Sequence, residues 1–434
     1  MHDNSSSLRK RGLFGDALGW MLVLSVTLVV FLAGCSNGSS TTEAASANDA
    51  AAATETEATT ETEATTEEAT TEEGAEVLQF ATFDNDNIDY AKTFPSWNAD
   101  SKSLASLVEF VKAVTDESSA DYVAPEDRIA TFDMDGTIIC EKAPFYSDWC
   151  MLLNRVLDNP SYNEADYKPS AEAVKQCQEI RDTINAGESP TEEMEKNKAK
   201  LIASEFAGMT VEEFRAFAAN FAQSVDAVGF EGMTYAQSFY KPMLEVIDYL
   251  KANNFDVWMI SACEREYVRA IVPLVLDIPV DHIVGTDVGY MASNQGDEAY
   301  DKYTMEQGED VVLTEPLGQE TAKAGKPIAI IREIGKRAIL SFGNSSGDYA
   351  MLNYAQSNPD HKGMGVLVLC DDAEREYGDL ERAADQLKEC EKQNWTVFHM
   401  SDEDWATIYD AGVQKTALPG AAAAEEEAEV ADAA

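Results

Sequence analysis

Three short polar clusters in this chain hold residue types that can do chemistry together. The first is Asp133-Met134-Asp135-Gly136-Thr137. Two acids at i and i+2, just past an extended run, can point into one site, and Gly136 permits the turn. One carboxylate can attack as a nucleophile while the other gives and takes protons. Carboxylates this close repel unless a cation lies between them, and oxygen ligands suit Mg²⁺. Taken alone, the cluster also reads as a solvated turn or a calcium loop. The second cluster is Ser261, which ends the run Trp258-Met259-Ile260. Its hydroxyl and the N–H groups of a following helix start can hold a phosphoryl oxygen, although a helix cap is the plainer role for a serine there. The third joins Lys326 to Gly343-Asn344-Ser345-Ser346-Gly347-Asp348. Asp348 can serve a metal and Lys326 can neutralise an oxyanion. A surface lysine and a capping aspartate are the plainer readings of those two.

The elements around the clusters decide whether they meet. Arg128 to Asp133, Asp256 to Ser261, His282 to Gly285, Ala338 to Phe342, Val366 to Cys370 and Trp395 to Phe398 are short apolar runs bounded by turn residues, which predicts strands. Helical patterns cover Pro242 to Asn253, Glu264 to Leu276, Ile328 to Gly335, Tyr349 to Gln356 and Glu374 to Glu391. Gly289 to Leu317 is polar and glycine-containing, which predicts a hairpin excursion. Strand and helix alternate from Arg128 onward. This predicts an α/β fold, a doubly wound, Rossmann-like parallel sheet with helices on both faces. All three clusters follow strands, and such sheets bind ligands beyond the carboxyl ends of their strands.

Taken in order, the clusters resemble the four motifs of the haloacid dehalogenase superfamily. The likeness extends through Phe132 and Cys140-Glu141-Lys142-Ala143-Pro144, through Tyr240-Lys241-Pro242-Met243, and from Ser261 past Glu264 to Arg269. It continues in Gly325-Lys326-Pro327, Ser341-Phe342-Gly343-Asn344-Ser345, Gly347-Asp348 and Met351-Leu352. This branch is similar to phosphoserine and phosphocholine phosphatases. The resemblance implies that Asp133 attacks phosphorus and that Asp135 protonates the leaving oxygen and then activates water. It implies Mg²⁺ held by Asp133, the backbone oxygen of Asp135 and the loop carrying Asn344 and Asp348, with Ser261 and Lys326 on the phosphoryl group. The chain departs from the pattern at Asn344, where many relatives have an aspartate, and at Ser346, where the branch commonly has an acid. One anionic ligand is therefore lost, which puts metal affinity in doubt.

The region from about 144 to 235 falls between the first motif and Ser261 and is mostly helical in pattern, with Thr210 and Glu213 forming a capping box. The resemblance makes it an inserted helical cap that closes over the site and selects a small phosphorylated substrate. Tyr146 and Trp149 are candidates to line the pocket, and an aromatic pocket would suit the quaternary ammonium of phosphocholine. Packing inside the cap is the plainer role for both. Arg269 is a candidate for an anionic substrate group, or it lies on a helix surface.

The chain has 434 residues, 45% hydrophobic, and a formal net charge of −47. Such acidity excludes a nucleic-acid partner, because phosphate backbones are bound by Lys and Arg. The sequence names no protein partner. The seven cysteines contain no CxxC pair and the four histidines are scattered, which argues against zinc. Arg9, Lys10 and Arg11 precede a short apolar run, Leu18 to Ala33, which ends in Leu32-Ala33-Gly34-Cys35. This resembles a bacterial lipobox, implying a signal peptide over residues 1–35 that is cut before Cys35. The thiol would carry a diacylglycerol and the new amino group a further acyl chain such as palmitate. Two or three chains hold a protein stably at a membrane, here the outer side of a bacterial cell membrane. Residues 36–76 are Ser, Thr, Ala and Glu, too polar to fold alone, and read as a stalk. Residues 77–416 form the folded part and 417–434 a second acidic tail.

The reading from sequence is a lipid-anchored, Mg²⁺-dependent phosphomonoester hydrolase. A phosphotransferase on the same scaffold and a surface binding protein with a degenerate site are the alternatives. The anchor predicts that Cys35→Ser leaves the protein unprocessed or released from membranes. Identical partitioning of mutant and wild type, with no lipid by intact mass, would remove the anchor.

Overall fold

The computed structural model describes residues 83–140, 146–158, 167–186, 188, 190–315 and 320–418. The signal segment with Cys35, the stalk, nearly all of the acidic tail and Glu141 to Pro144 lie outside the described residues. The chain enters through α1 (Tyr90–Thr93) and α2 (Lys102–Thr115) and reaches β1 (Ile129–Phe132). Four helices follow: α3 (Ser147–Leu153), α4 (Ala171–Asn185), α5 (Glu192–Glu205) and α6 (Val211–Ser224). The short β2 (Phe230–Glu231) and α7 (Lys241–Ala252) lead back to β3 (Asp256–Glu264), α8 (Arg265–Ile271) and β4 (Ile283–Thr286). A hairpin of β5 (Gly289–Ala292) and β6 (Val311–Thr314) precedes α9 (Gly325–Glu333). The chain then alternates through β7 (Leu340–Gly343), α10 (Tyr349–Gln356), β8 (Met364–Leu369), α11 (Leu380–Gln393) and β9 (Thr396–His399) to β10 (Gln414–Lys415).

The expected α/β sheet is present. Six strands lie in the order β4-β3-β1-β7-β8-β9, and every neighbouring pair is parallel. The apolar runs are continuous because both faces are covered. Side chains alternate all the same. Ala130, Phe132, Val257, Met259, Val366 and Val368 enter the large core, whereas Ile129, Trp258 and Ile260 pack with Ala329, Ile330 and Met351 of α9 and α10. Leu367 and Leu369 meet Ala383 and Cys390 of α11. Across β1 and β7, Phe132 and Phe342 stack with centroids 4.3 Å apart, and the Thr131 and Ser341 hydroxyls share a 2.6 Å hydrogen bond.

From β1 the chain moves to β3 and β4 on one side, then crosses to β7 on the other. The carboxyl end of β1 is thus the switch point where a doubly wound sheet opens a crevice.

Helix ends follow their local signals. Thr210 and Glu213 form the expected capping box on α6. The helix expected from Glu264 to Leu276 stops at Ile271 and tightens into a 3₁₀ turn over Val272–Leu274, because Pro273 has no N–H to donate. The helix expected from Glu374 begins only at Leu380, capped by Asp379. Before it, Asp372 Oδ1 accepts the N–H groups of Glu374 and Arg375 and holds a turn instead.

Candidate active site

The backbone brings the three clusters to one sheet edge. Asp133 N–H donates to the Phe342 carbonyl at 3.0 Å, which continues the β1–β7 pairing one residue past β1. Gly136 then takes φ 72°, a conformation that glycine adopts without strain. The turn closes through Gly136 N–H to Ile139 O at 2.7 Å and Ile138 N–H to Met134 O at 2.9 Å. Asp133 and Asp135 are both buried.

Lys326, 1% exposed on the first turn of α9, is the cation of the site. Its Nζ donates to Asp133 Oδ1 at 2.5 Å and to the Ile260 carbonyl at 2.7 Å. It also pairs with Asp348 Oδ1 at 2.7 Å. Asp348 uses its other oxygen to fold its own loop. Oδ2 accepts the N–H groups of Asn344 and Ser345, each at 3.0 Å. Gly343 is needed here, since a Cβ on it would lie 2.3 Å from the Cβ of Asp348. Gln386 of α11 donates to the Asn344 carbonyl at 2.6 Å. Asn344 Nδ2 is buried and makes no hydrogen bond.

Burial lifts Asp133 to about 7, with the Asp348 charge adding to it and Lys326 opposing. Burial also lifts Asp135 to about 8, with Asp133 adding to it. Burial works against the charge on Lys326, yet Asp133 and Asp348 hold its pKa above the ordinary range. Asp135 Oδ2 receives the Cys263 thiol at 3.0 Å, and Oδ1 has no partner.

A cavity of about 1310 Å³ stands over these groups. Asp133, Asp135, Lys326, Asn344 and Asp348 line it, as do Tyr146 and Trp149 of the predicted pocket. Ser261 does not. It is fully buried, its Oγ accepts the Cys263 N–H at 3.1 Å, and Ala262, Cys263 and Glu264 form the wall at that point. The bulge between Ile260 and Glu264, where β3 shifts register against β4, exchanges the residues at that wall. Arg269 is also elsewhere. Its Nε donates to the Ile283 carbonyl and its Nη1 to Glu266, each at 3.1 Å, and it borders a separate cleft.

Three cavity residues escaped the sequence reading. Lys198 of α5 pairs with buried Asp148 of α3 at 2.6 Å, fifty positions apart in sequence. Its Nζ lies 5.4 Å from the centre of the Trp149 ring. Cys263 was findable, being two residues beyond Ser261; the Asp148–Lys198 pair was not, since no periodicity links them.

The donor set fits a divalent cation. Asp133 and Asp348 are buried carboxylates paired with one buried ammonium, and Asp135 beside them is a third that forms no ion pair with it. Fully ionised, they leave an excess of negative charge in a water-poor site. Asn344 adds an unengaged amide. Among the described residues, no three His, Cys, Asp or Glu side chains are grouped to hold a metal by themselves. The Asn344 amide and the Asp135 backbone oxygen would have to complete the set.

The sequence profile of the family described as haloacid dehalogenase-like hydrolase matches residues 130–353. No curated protein matches the chain. Among solved structures, a protein of unknown function from Bordetella pertussis is 15% identical, with TM-score 0.38, over 62% of this chain and 97% of its own. A conserved protein of unknown function from Anaerococcus prevotii is 13% identical, with TM-score 0.41, over 69% of this chain and 91% of its own. A phosphoserine phosphohydrolase-like protein from Francisella tularensis is 14% identical, with TM-score 0.30, over 56% of this chain and 87% of its own. These are too distant to bear on substrate.

The raised carboxylates generate a prediction. An acid whose folded pKa lies above its unfolded value favours folding at low pH, and that contribution is lost as pH rises through the folded pKa. For Asp133 and Asp135 the loss runs from about pH 4 to about 8. A bound cation reverses it, so Mg²⁺ should raise the melting temperature more at pH 8 than at pH 5. Calorimetry with and without EDTA measures this, and an equal shift at both pH values would contradict the assigned cation site.

Proposed function

The chain belongs to the haloacid dehalogenase-like hydrolase family, and from that membership we propose that it is a phosphatase. It hydrolyses a small phosphomonoester through an aspartyl phosphate on Asp133. The observation that carries this reading is the division of roles between two neighbouring acids. Asp133 is tied to the Lys326 ammonium, which favours its ionised form as nucleophile. Asp135 makes no ion pair among the described residues, accepts the Cys263 thiol, and is pushed by burial toward the protonated form that a general acid needs.

In the first step a carboxylate oxygen of Asp133 attacks phosphorus and the ester oxygen departs. Asp135, which lines the cavity beside Asp133, gives that oxygen its proton. In the second step Asp135, now a carboxylate, takes a proton from water as the water attacks the acyl phosphate. Inorganic phosphate leaves, and Asp133 and protonated Asp135 are restored. Lys326 holds a fixed positive charge beside the attacking oxygen throughout, and positioned charge is the main resource in phosphoryl transfer. Asp133, Asp348, Asn344 and the backbone oxygen of Asp135 would hold a divalent cation, with Mg²⁺ the candidate, and it would supply further positive charge to the phosphoryl oxygens. Ser261 would act on the phosphoryl group only through its link to Cys263, since its side chain lies behind the wall.

The cavity exceeds the roughly 300–1,000 Å³ of common ligand clefts. It has room for a leaving group well beyond the phosphoryl site. Support for phosphocholine is weaker than the aromatic residues suggest, because the Lys198 ammonium already lies against the Trp149 ring. A lipid on Cys35 of the lipobox-like sequence would tether the enzyme to the outer face of a bacterial membrane, where it would act on phosphoesters arriving from outside.

The mechanism predicts that Asp133→Asn folds but loses on the order of 10³-fold or more in kcat. Asp135→Asn should lose much less on p-nitrophenyl phosphate than on an alkyl phosphate, because a good leaving group needs little protonation. Steady-state assays with purified variants decide it. Near-normal rates in folded Asp133→Asn, or equal losses on both esters in Asp135→Asn, would refute the assigned roles.

A further inference from the structure

The cavity is built in two parts. Its floor, with Asp133, Lys326 and Asp348, hangs from β1, α9 and the β7–α10 loop. Its walls come from elsewhere. Tyr146, Trp149 and Lys198 stand on α3, its leading residue and α5, while Leu313 and Thr314 stand on the β5–β6 hairpin. The hairpin and the helical insertion are joined to each other by backbone. Leu313 N–H donates to Met209 O at 3.0 Å, and Gly208 N–H to Leu313 O at 3.2 Å.

One buried carboxylate outside the cavity ties both walls to the sheet. Glu266, 1% exposed, is the second residue of α8. Its Oε2 takes Arg215 of α6, with Nε at 2.6 Å and Nη2 at 2.5 Å. Its Oε1 takes the Tyr290 hydroxyl of β5 at 2.6 Å and Arg269 of α8 itself at 3.1 Å. One donor thus comes from the insertion, one from the hairpin and one from the core. Both oxygens are engaged, and the low local dielectric strengthens each charged bond. None of the bonds that the Glu266 carboxylate makes reaches Asp133, Lys326 or Asp348.

We propose that Glu266 is a positioning residue that locks helix α6 and the β5–β6 hairpin to the core and thereby sets which leaving groups the cavity accepts. The claim rests on the phosphatase reading for its substrates but not for its structural half. Loosening the junction releases the walls, which touch the leaving group, and spares the floor, which holds the phosphoryl group. The effect therefore depends on leaving-group size.

The test uses the full chain with Mg²⁺ and two esters, ethyl phosphate and 1-naphthyl phosphate, in wild type, Glu266→Gln, Arg215→Met and Arg215→Lys. Backbone hydrogen exchange is followed over residues 205–215 and 311–315. Glu266→Gln and Arg215→Met should raise KM for the naphthyl ester about fivefold or more while keeping ethyl phosphate kcat/KM within about twofold. Exchange over both segments should rise about tenfold, and Arg215→Lys should recover part of each effect. Unchanged exchange overturns the junction. Raised exchange with proportional losses on both esters overturns its role in selection. Wild type that cleaves neither ester overturns the phosphatase reading alone, and the exchange comparison still decides the junction. If Glu266→Gln does not fold, Arg215→Met and Tyr290→Phe, each removing one donor, carry the same comparison.

Discussion

One buried ammonium holds the site together. Lys326 Nζ binds the first residue after β1, a carbonyl within β3 and the aspartate that opens α10. Three segments far apart in sequence converge on that single charge. Removing one partner from a buried ion pair costs on the order of 3–5 kcal/mol, because the remaining charge is stranded. The lysine therefore enforces the meeting of strand ends as much as it serves chemistry. Other features follow from it. Asp348 must turn back toward Lys326, so its loop folds around its second oxygen, and Gly343 must lack a side chain to let it approach. Asp135, which forms no ion pair with Lys326, is pushed by burial toward its protonated form.

The same division explains how chemistry and selection are separated in space. The reacting groups ride on the carboxyl edge of a sheet whose strands are buried on both faces, the most rigid setting this fold offers. The walls belong to an insertion and a hairpin that share one apolar cluster with the core, through Phe214, Phe221 and Leu313 among others, and are tied to it also by the Glu266 bonds.

The sheet was legible in the sequence because buried parallel strands are unbroken apolar runs. β1, β7 and β8 stand where the runs predicted them, and the capping box at Thr210 marked the start of α6. The α2 helix carried its own signal in Ser101 and the spacing of Leu104, Leu107, Val108 and Val111, and the reading from sequence passed over it. Other features had no local signal. The bulge that carries β3 past Ser261, and so hides that hydroxyl behind Ala262 and Cys263, depends on pairing with β4. Asp148 meets Lys198, and Glu266 meets Arg215, only through the packing of helices distant in sequence. Motif order singled out the residues that meet on the floor, while the walls were set by tertiary contacts.

The central claim is that Asp133 becomes covalently phosphorylated during turnover. A rapid acid quench of the enzyme turning over a ³²P-labelled phosphomonoester with Mg²⁺, followed by peptide mapping, tests it directly. The account predicts an alkali-labile, acid-stable label on the peptide containing Asp133, absent in Asp133→Asn. Turnover with no protein-bound label at any quench time, or a label on a different residue, would contradict it.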